Sequence, residues 1–259
     1  MSTATPIHNT NVACCTIPPV HSNYEPKGTF KSYGGFKKVY VTGPETLGQS
    51  AIVCVYDIFG FKPQTQQGAD IIADNLKVQV LMPDFFEDGE PYPLENFPPK
   101  TDEDKAKLQA FFGGIALPPK NGERLLAFGK TLKDDGVKFL GVYGFCWGGK
   151  VTILAGSQSG SSYDAVSLVH PAMLSAADSE NLAVPIALYP SKDEPESEFN
   201  KIVEIIKSKP IAAKSDFKIW DTFHGFAAAR ANLDDEDNNA KYKELYQSLI
   251  KFFKNAGDI

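Results

Sequence analysis

Seven short apolar runs separated by amphipathic segments restrict this chain to few folds. The runs are 37–41, 51–56, 78–82, 139–143, 165–169, 185–189 and 217–220. Most are continuous rather than alternating, the pattern of strands buried on both faces of a parallel sheet. Between them, 66–77 places Ala69, Ile72, Ala73 and Leu76 on one helical face, and 123–132 and 199–206 behave alike. The segment 237–256 aligns Tyr242, Leu245, Tyr246, Leu249, Phe252 and Phe253 on one stripe, with Gly257 expected to stop the helix. Strand–helix alternation predicts one α/β domain spanning 1–259, with helices on both faces of the sheet.

Composition narrows the function classes. The 259 residues are 42% hydrophobic and 22% charged, which excludes wholesale disorder and fibrous folds. A formal charge of −6 argues against nucleic-acid binding driven by net charge. No apolar run has membrane-spanning length. The polar start, broken by Pro6, Pro18 and Pro19, does not read as a signal peptide, so a cytoplasmic location is expected. The cysteines, Cys14, Cys15, Cys54 and Cys146, lack metal-ligand spacing, and no metal is expected. Cys54 reads as core, and Cys14 and Cys15 as incidental.

Two segments break the rhythm. Residues 1–36, rich in Pro, Gly, Ser and Thr, are expected to form an extended arm over the surface. Residues 84–120 read as a lid-like insertion over the active-site face, aromatic and rich in Pro and Gly, with a short helix near 103–112.

The chemistry concentrates in FLGVYGFCWGGK, 139–150. A strand runs into Gly144-Phe145-Cys146-Trp147-Gly148-Gly149, and a helical pattern begins near Lys150. This is a nucleophile elbow with Cys in the Ser position. It lifts Cys146 to a helix N-terminus, where the dipole favours a thiolate, and aims the Trp147 amide at a developing oxyanion. The thiol needs a base, and the base an orienting acid. His224, after the last strand, fits the base; His8 and His21 lie in the arm. His170, ending a strand, reads as packing beside the site. Chain order puts the acid between Cys146 and His224. Asp193 is the leading candidate, with Glu194 its neighbouring rival and Asp221 the other.

These motifs, with Tyr56-Asp57-Ile58-Phe59-Gly60, Gln67-Gly68-Ala69-Asp70, Met82-Pro83-Asp84-Phe85-Phe86 and His224-Gly225-Phe226, resemble the dienelactone hydrolase family. The resemblance covers roughly 35–255 and implies the α/β-hydrolase fold, a mostly parallel central sheet with helices on both faces. It implies a Cys-His-Asp triad of Cys146, His224 and Asp193, and a second oxyanion amide from Ile58. It also implies an acid beside the resting cysteine, here Asp57, that gates it. The expected activity is hydrolysis of a lactone or small ester through a cysteine acyl-enzyme, without cofactor.

Substrate features are less marked. The best-known members hold a substrate carboxylate with two arginines. The stretch where one belongs reads Phe85-Phe86-Glu87-Asp88 here, and the other place is approached by Arg230. Lys62 and Lys150 could supply charge, though solvated surface roles are expected of both. Phe59, Phe86, Tyr92, Phe97, Trp147 and Phe226 suggest an aromatic-lined pocket, which suits a neutral small-molecule ester or lactone equally well. A catalytically silent scaffold with a binding role is the competing reading; the intact Cys146, His224 and Asp193 argue against it.

Overall fold

The computed structural model describes residues 22–259. Its strands are β1 (Thr29–Tyr33), β2 (Phe36–Thr42), β3 (Ser50–Val55), β4 (Gln79–Pro83), β5 (Phe139–Phe145), β6 (Ala165–Val169), β7 (Ile186–Tyr189) and β8 (Asp216–Phe217). The helices are α1 (Pro63–Leu76), α2 (Asp102–Gly113), α3 (Pro118–Asp134), α4 (Trp147–Gly156), α5 (Glu196–Lys207) and α6 (Glu236–Gly257). One eight-stranded sheet runs in the order β1-β2-β4-β3-β5-β6-β7-β8. β2 is antiparallel to β1 and β4; every other pairing is parallel.

Glycines set how closely the helices approach β5. A Cβ on Gly141 would lie 2.6 Å from the Phe253 ring of α6, and one on Gly144 would lie 2.2 Å from the Gly148 carbonyl of α4. An odd spacing along a strand points to opposite faces. α6 and α4 therefore cover the two sides of the sheet, with α1 packed on α6 and α3 on α4. β4, β5, β6 and β7 are buried at every residue, which explains their unbroken apolar runs.

Three sequence expectations change. The arm 1–36 is not all arm: Thr29–Tyr33 pairs with β2 as a solvent-exposed edge strand, while 1–21 lie outside the described residues. Its alternation is too polar to signal a buried strand. Just behind it, Asp70 of α1 accepts hydrogen bonds from the Tyr24 and Tyr40 hydroxyls and the Lys27 amide, tying the chain down. The last strand, expected over 217–220, shrinks to Asp216–Phe217 plus an isolated bridge from Ser191 to Trp220. Finally, Gly257 does not stop α6. Asp258 takes the left-handed cap (φ 52°), and Gly257 lets the Phe139 ring come within 2.7 Å of where a Cβ would stand.

Buried phenols give the fold a pH dependence. Burial holds Tyr56, Tyr143, Tyr163, Tyr242 and Tyr246 well above the ordinary tyrosine value, and pushes the Cys54 thiol up to about 12. Below pH of about 10 native and unfolded phenols are both protonated, and this contribution is fully present. Above it the unfolded chain ionises first and binds fewer protons, so stability falls by up to about 1.4 kcal/mol per pH unit per phenol. The urea midpoint is expected to drop steeply above pH of about 10. A midpoint still level at pH of about 11 would contradict this account.

Candidate active site

Cys146 sits between β5 and α4 with φ 53° and ψ −116°, a strained conformation for a non-glycine residue. Its neighbours permit the turn. A Cβ on Gly148 would lie 2.3 Å from the Val55 carbonyl and 2.4 Å from that of Tyr56, and one on Gly149 would press Pro171 at 2.9 Å. Only glycine lets α4 start this close to the sheet. The backbone is fastened on both sides: the Cys146 amide donates to Val169 (3.2 Å), and its carbonyl accepts from Gly149 (3.1 Å) and Ala172 (2.9 Å). The side chain is buried at the N-terminus of the ten-residue α4, on the side where that helix favours negative charge. The Trp147 amide opens the same helix.

The loops after β7 and β8 run side by side, joined where the Lys192 amide donates to the Thr222 carbonyl at 3.2 Å. They bring two adjacent carboxylates to His224 in different roles. Asp193 Oδ2 accepts from the His224 backbone amide (2.8 Å), whereas Glu194 Oε1 lies 2.6 Å from His224 Nδ1. Glu194 rather than Asp193 therefore faces the imidazole, so the neighbouring rival and not the leading candidate makes the ring contact, still between Cys146 and His224 in chain order. The cause is local. Glu194 folds back so that Oε2 accepts from the Ser191 amide, turning Oε1 inward, while Asp193 remains half-buried. A Glu three residues after a Ser at a strand end is the signal that would have pointed to it. Asp221 is exposed and the Glu194–His224 contact is wholly buried. A carboxylate only accepts, so Nδ1 carries the proton and Nε2 is the basic nitrogen.

His170 follows β6 with φ 34°, and its ring lies 5.0 Å from that of His224, between Phe145 (5.5 Å) and Phe226 (5.7 Å). Its place agrees with packing beside the site. Phe226 also stacks on Trp220 at 5.7 Å.

Asp57, Ile58 and Phe59 follow β3. Asp57 is buried; Oδ1 accepts from the Phe59 amide (2.9 Å) and Oδ2 from that of Ala229 (3.1 Å). Burial raises its carboxyl above the ordinary value, against the pull of those amides and of the Arg230 charge. It thus caps the turn after the strand and ties it to the loop beyond His224. Ile58 is buried, and its carbonyl accepts from the Tyr92 amide at 2.9 Å. Arg230, also buried, lays its guanidinium 4.7 Å from the Phe97 ring and 5.5 Å from that of Phe59, and donates to the His224 carbonyl at 3.3 Å.

Residues 84–120 arch over this edge of the sheet. The Tyr56 hydroxyl donates to Asp84 (2.7 Å) and accepts from the Phe86 amide (3.1 Å); at the far end Trp147 Nε1 donates to the Ala116 carbonyl (2.6 Å). α2 begins with a Thr101–Asp104 capping box. Aromatic rings form an unbroken series from Trp147 through Phe86 (4.9 Å), Phe111 (5.2 Å), Tyr92 (5.6 Å) and Phe97 (6.3 Å) to Phe59 (5.1 Å).

The remaining charged candidates separate. Lys150 is not on the surface: it is buried on α4, paired with Asp178 and donating to the Met173 carbonyl at 3.2 Å. That leaves it committed to the loop after β6. Lys62 is half-buried at the start of α1, and its charge acts on Asp57. Arg124 donates to the Phe85 carbonyl (2.7 Å) and pairs with Glu87 (3.1 Å). Cys54 is core, and Cys14 and Cys15 lie outside the described residues, as do His8 and His21. Among the described residues no group of three or more His, Cys, Asp or Glu is disposed to hold a metal ion, and no helix is long and apolar enough to cross a membrane.

A mostly parallel sheet whose central strand ends in such an elbow is the architecture of the α/β-hydrolases. Within that class the chain belongs to the dienelactone hydrolase family, whose model matches residues 38–257. It is 33% identical over 250 residues to an uncharacterized AIM2 family protein of Schizosaccharomyces pombe, covering 93% of this chain and 98% of that one. It is 34% identical over 117 residues to a carboxymethylenebutenolidase homolog of Xenopus tropicalis, 44% of each chain. In fold it is similar to a dienelactone hydrolase from Anabaena variabilis, with a TM-score of 0.61 at 13% identity, over 91% of this chain and 99% of that one.

Proposed function

We propose that the protein hydrolyses carboxylic esters or lactones through a thioester on Cys146. His224 Nε2 takes the thiol proton, and the thiolate attacks the substrate carbonyl carbon. The tetrahedral oxyanion is received by the Trp147 and Ile58 amides, each donor being worth about 3–4 kcal/mol. The C–O bond breaks as protonated His224 gives its proton to the leaving oxygen, which for a lactone stays tethered to the acyl group. Water, deprotonated by His224, then attacks the thioester; the acid departs and Cys146 recovers its proton. Glu194 fixes the Nδ1–H tautomer and stabilises the imidazolium in both half-reactions.

The observation that carries this reading is the buried 2.6 Å contact between Glu194 and His224 Nδ1, beside an elbow that spends backbone strain on Cys146. The name of the Xenopus relative, a carboxymethylenebutenolidase homolog, favours a lactone. The test compares wild type with Cys146→Ala on p-nitrophenyl butyrate and on a dienelactone. A loss of about 10⁴-fold or more in kcat/KM is expected, with acyl-enzyme trapped by rapid quench and seen by mass. Turnover that survives in Cys146→Ala, or is missing from wild type on both substrates, would overturn the reading.

A further inference from the structure

We infer that this site selects an uncharged, apolar or aromatic acyl group and rejects one that carries a carboxylate. The inference rests on the hydrolase reading above and deepens it. Its basis is the commitment of charge around the site. The chain has two arginines, and both are engaged by protein groups. Arg124 holds the Phe85 carbonyl and Glu87. Arg230 lies against the Phe97 and Phe59 rings with a hydrogen bond to the His224 carbonyl, and its charge is set against the buried Asp57. Half-buried Lys62 also acts on Asp57, and Glu194 supplies a second carboxylate at His224. With Asp193 on the His224 backbone amide as a third carboxylate, two cations stand among three carboxylates, and a substrate carboxylate would add a further buried negative charge without a cation of its own.

The wall argues in the same direction. Between Trp147, next to Cys146, and Arg230, in the His224 loop, runs a continuous series of packed, mostly buried aromatic rings, the apolar material from which an acyl pocket here would be built. Such a wall offers dispersion and edge-to-face contacts to a flat or aliphatic acyl group and little solvation to an anion. Arg230 acts here as a positioning residue, its charge spent on Asp57 and its plane on two rings.

The experiment measures kcat/KM for p-nitrophenyl butyrate and for p-nitrophenyl hemisuccinate, which differ in a terminal carboxylate. Wild type is expected to favour the butyrate by about tenfold or more. In Asp57→Asn one carboxylate is removed, and the ratio is expected to move toward the hemisuccinate by about tenfold. A purely structural role for Asp57 would lower both rates and leave their ratio alone. Equal or better turnover of the hemisuccinate by wild type overturns the inference, and so does a ratio unmoved in a folded Asp57→Asn. Binding of N-phenylbutanamide and N-phenylsuccinamic acid to wild type, by calorimetry, reads the same preference without turnover. Absence of Cys146-dependent hydrolysis would therefore sink the hydrolase reading alone. Amides bound equally, or the acid bound more tightly, would sink the substrate class.

Discussion

Glu194→Gln is expected to lower kcat/KM for a neutral aryl ester by about 10⁴-fold, while Asp193→Asn costs less than about tenfold. The two residues are neighbours with the same charge, and the difference lies in what each touches. Glu194 meets Nδ1 of the buried imidazole and the Ser191 amide. A Gln there must set its amide NH₂ against one of two donors, and it supplies no negative charge to the imidazolium. Asp193 accepts from a backbone amide, a task an Asn oxygen performs as well. Steady-state kinetics with matched thermal melts separates the outcomes. Comparable losses in both variants, or a larger one at Asp193, would remove Glu194 from its assigned role.

The second large effect is structural. Gly148→Ala is expected to cost more than about 4 kcal/mol, or to prevent recovery of soluble protein. The new methyl would stand 2.3 and 2.4 Å from the carbonyls of Val55 and Tyr56, and backbone of a central strand does not yield as a side-chain tip would. Gly113→Ala, with no atom within 4 Å of its new Cβ, serves as the control and is expected to change stability by less than about 1 kcal/mol. Urea unfolding of both variants checks the pair; a Gly148→Ala protein as stable as wild type would disprove the close approach.

The parts of this fold readable from the sequence are those set by repeated local pattern. Strands buried on both faces announce themselves as continuous apolar runs, and the stripe on α6 follows from its 3.6-residue period. The elbow was legible because few sequences place glycines on both sides of a cysteine between a strand and a helix. What escaped was decided by contacts across the chain. β1 is largely solvent-exposed, and the partners of Phe30 and Tyr33 (Tyr40, Phe61 and Phe128) lie elsewhere in the chain, so its short polar sequence carries no local signal. Gly257 is explained by the Phe139 ring, not by helix termination. Lys150 looked like a solvated lysine because its partner Asp178 lies beyond the next strand. The choice between Asp193 and Glu194 turned on which carboxylate folds back to Ser191, a matter of side-chain length within one turn.

The arch over the site is secured at both abutments and at midspan. Tyr56 grips its beginning, Trp147 its end, and the Ile58 carbonyl holds Tyr92 between them. A covering built this way is a bridge rather than a flap, because no single hinge frees it. Tyr56 is the residue after β3, Ile58 sits in the turn that follows, and Trp147 is the residue after Cys146. A deflection of the span would therefore pull on the strand end and helix start that frame Cys146. Under the proposed hydrolysis, admitting a substrate and aligning the groups that act on it would be mechanically coupled.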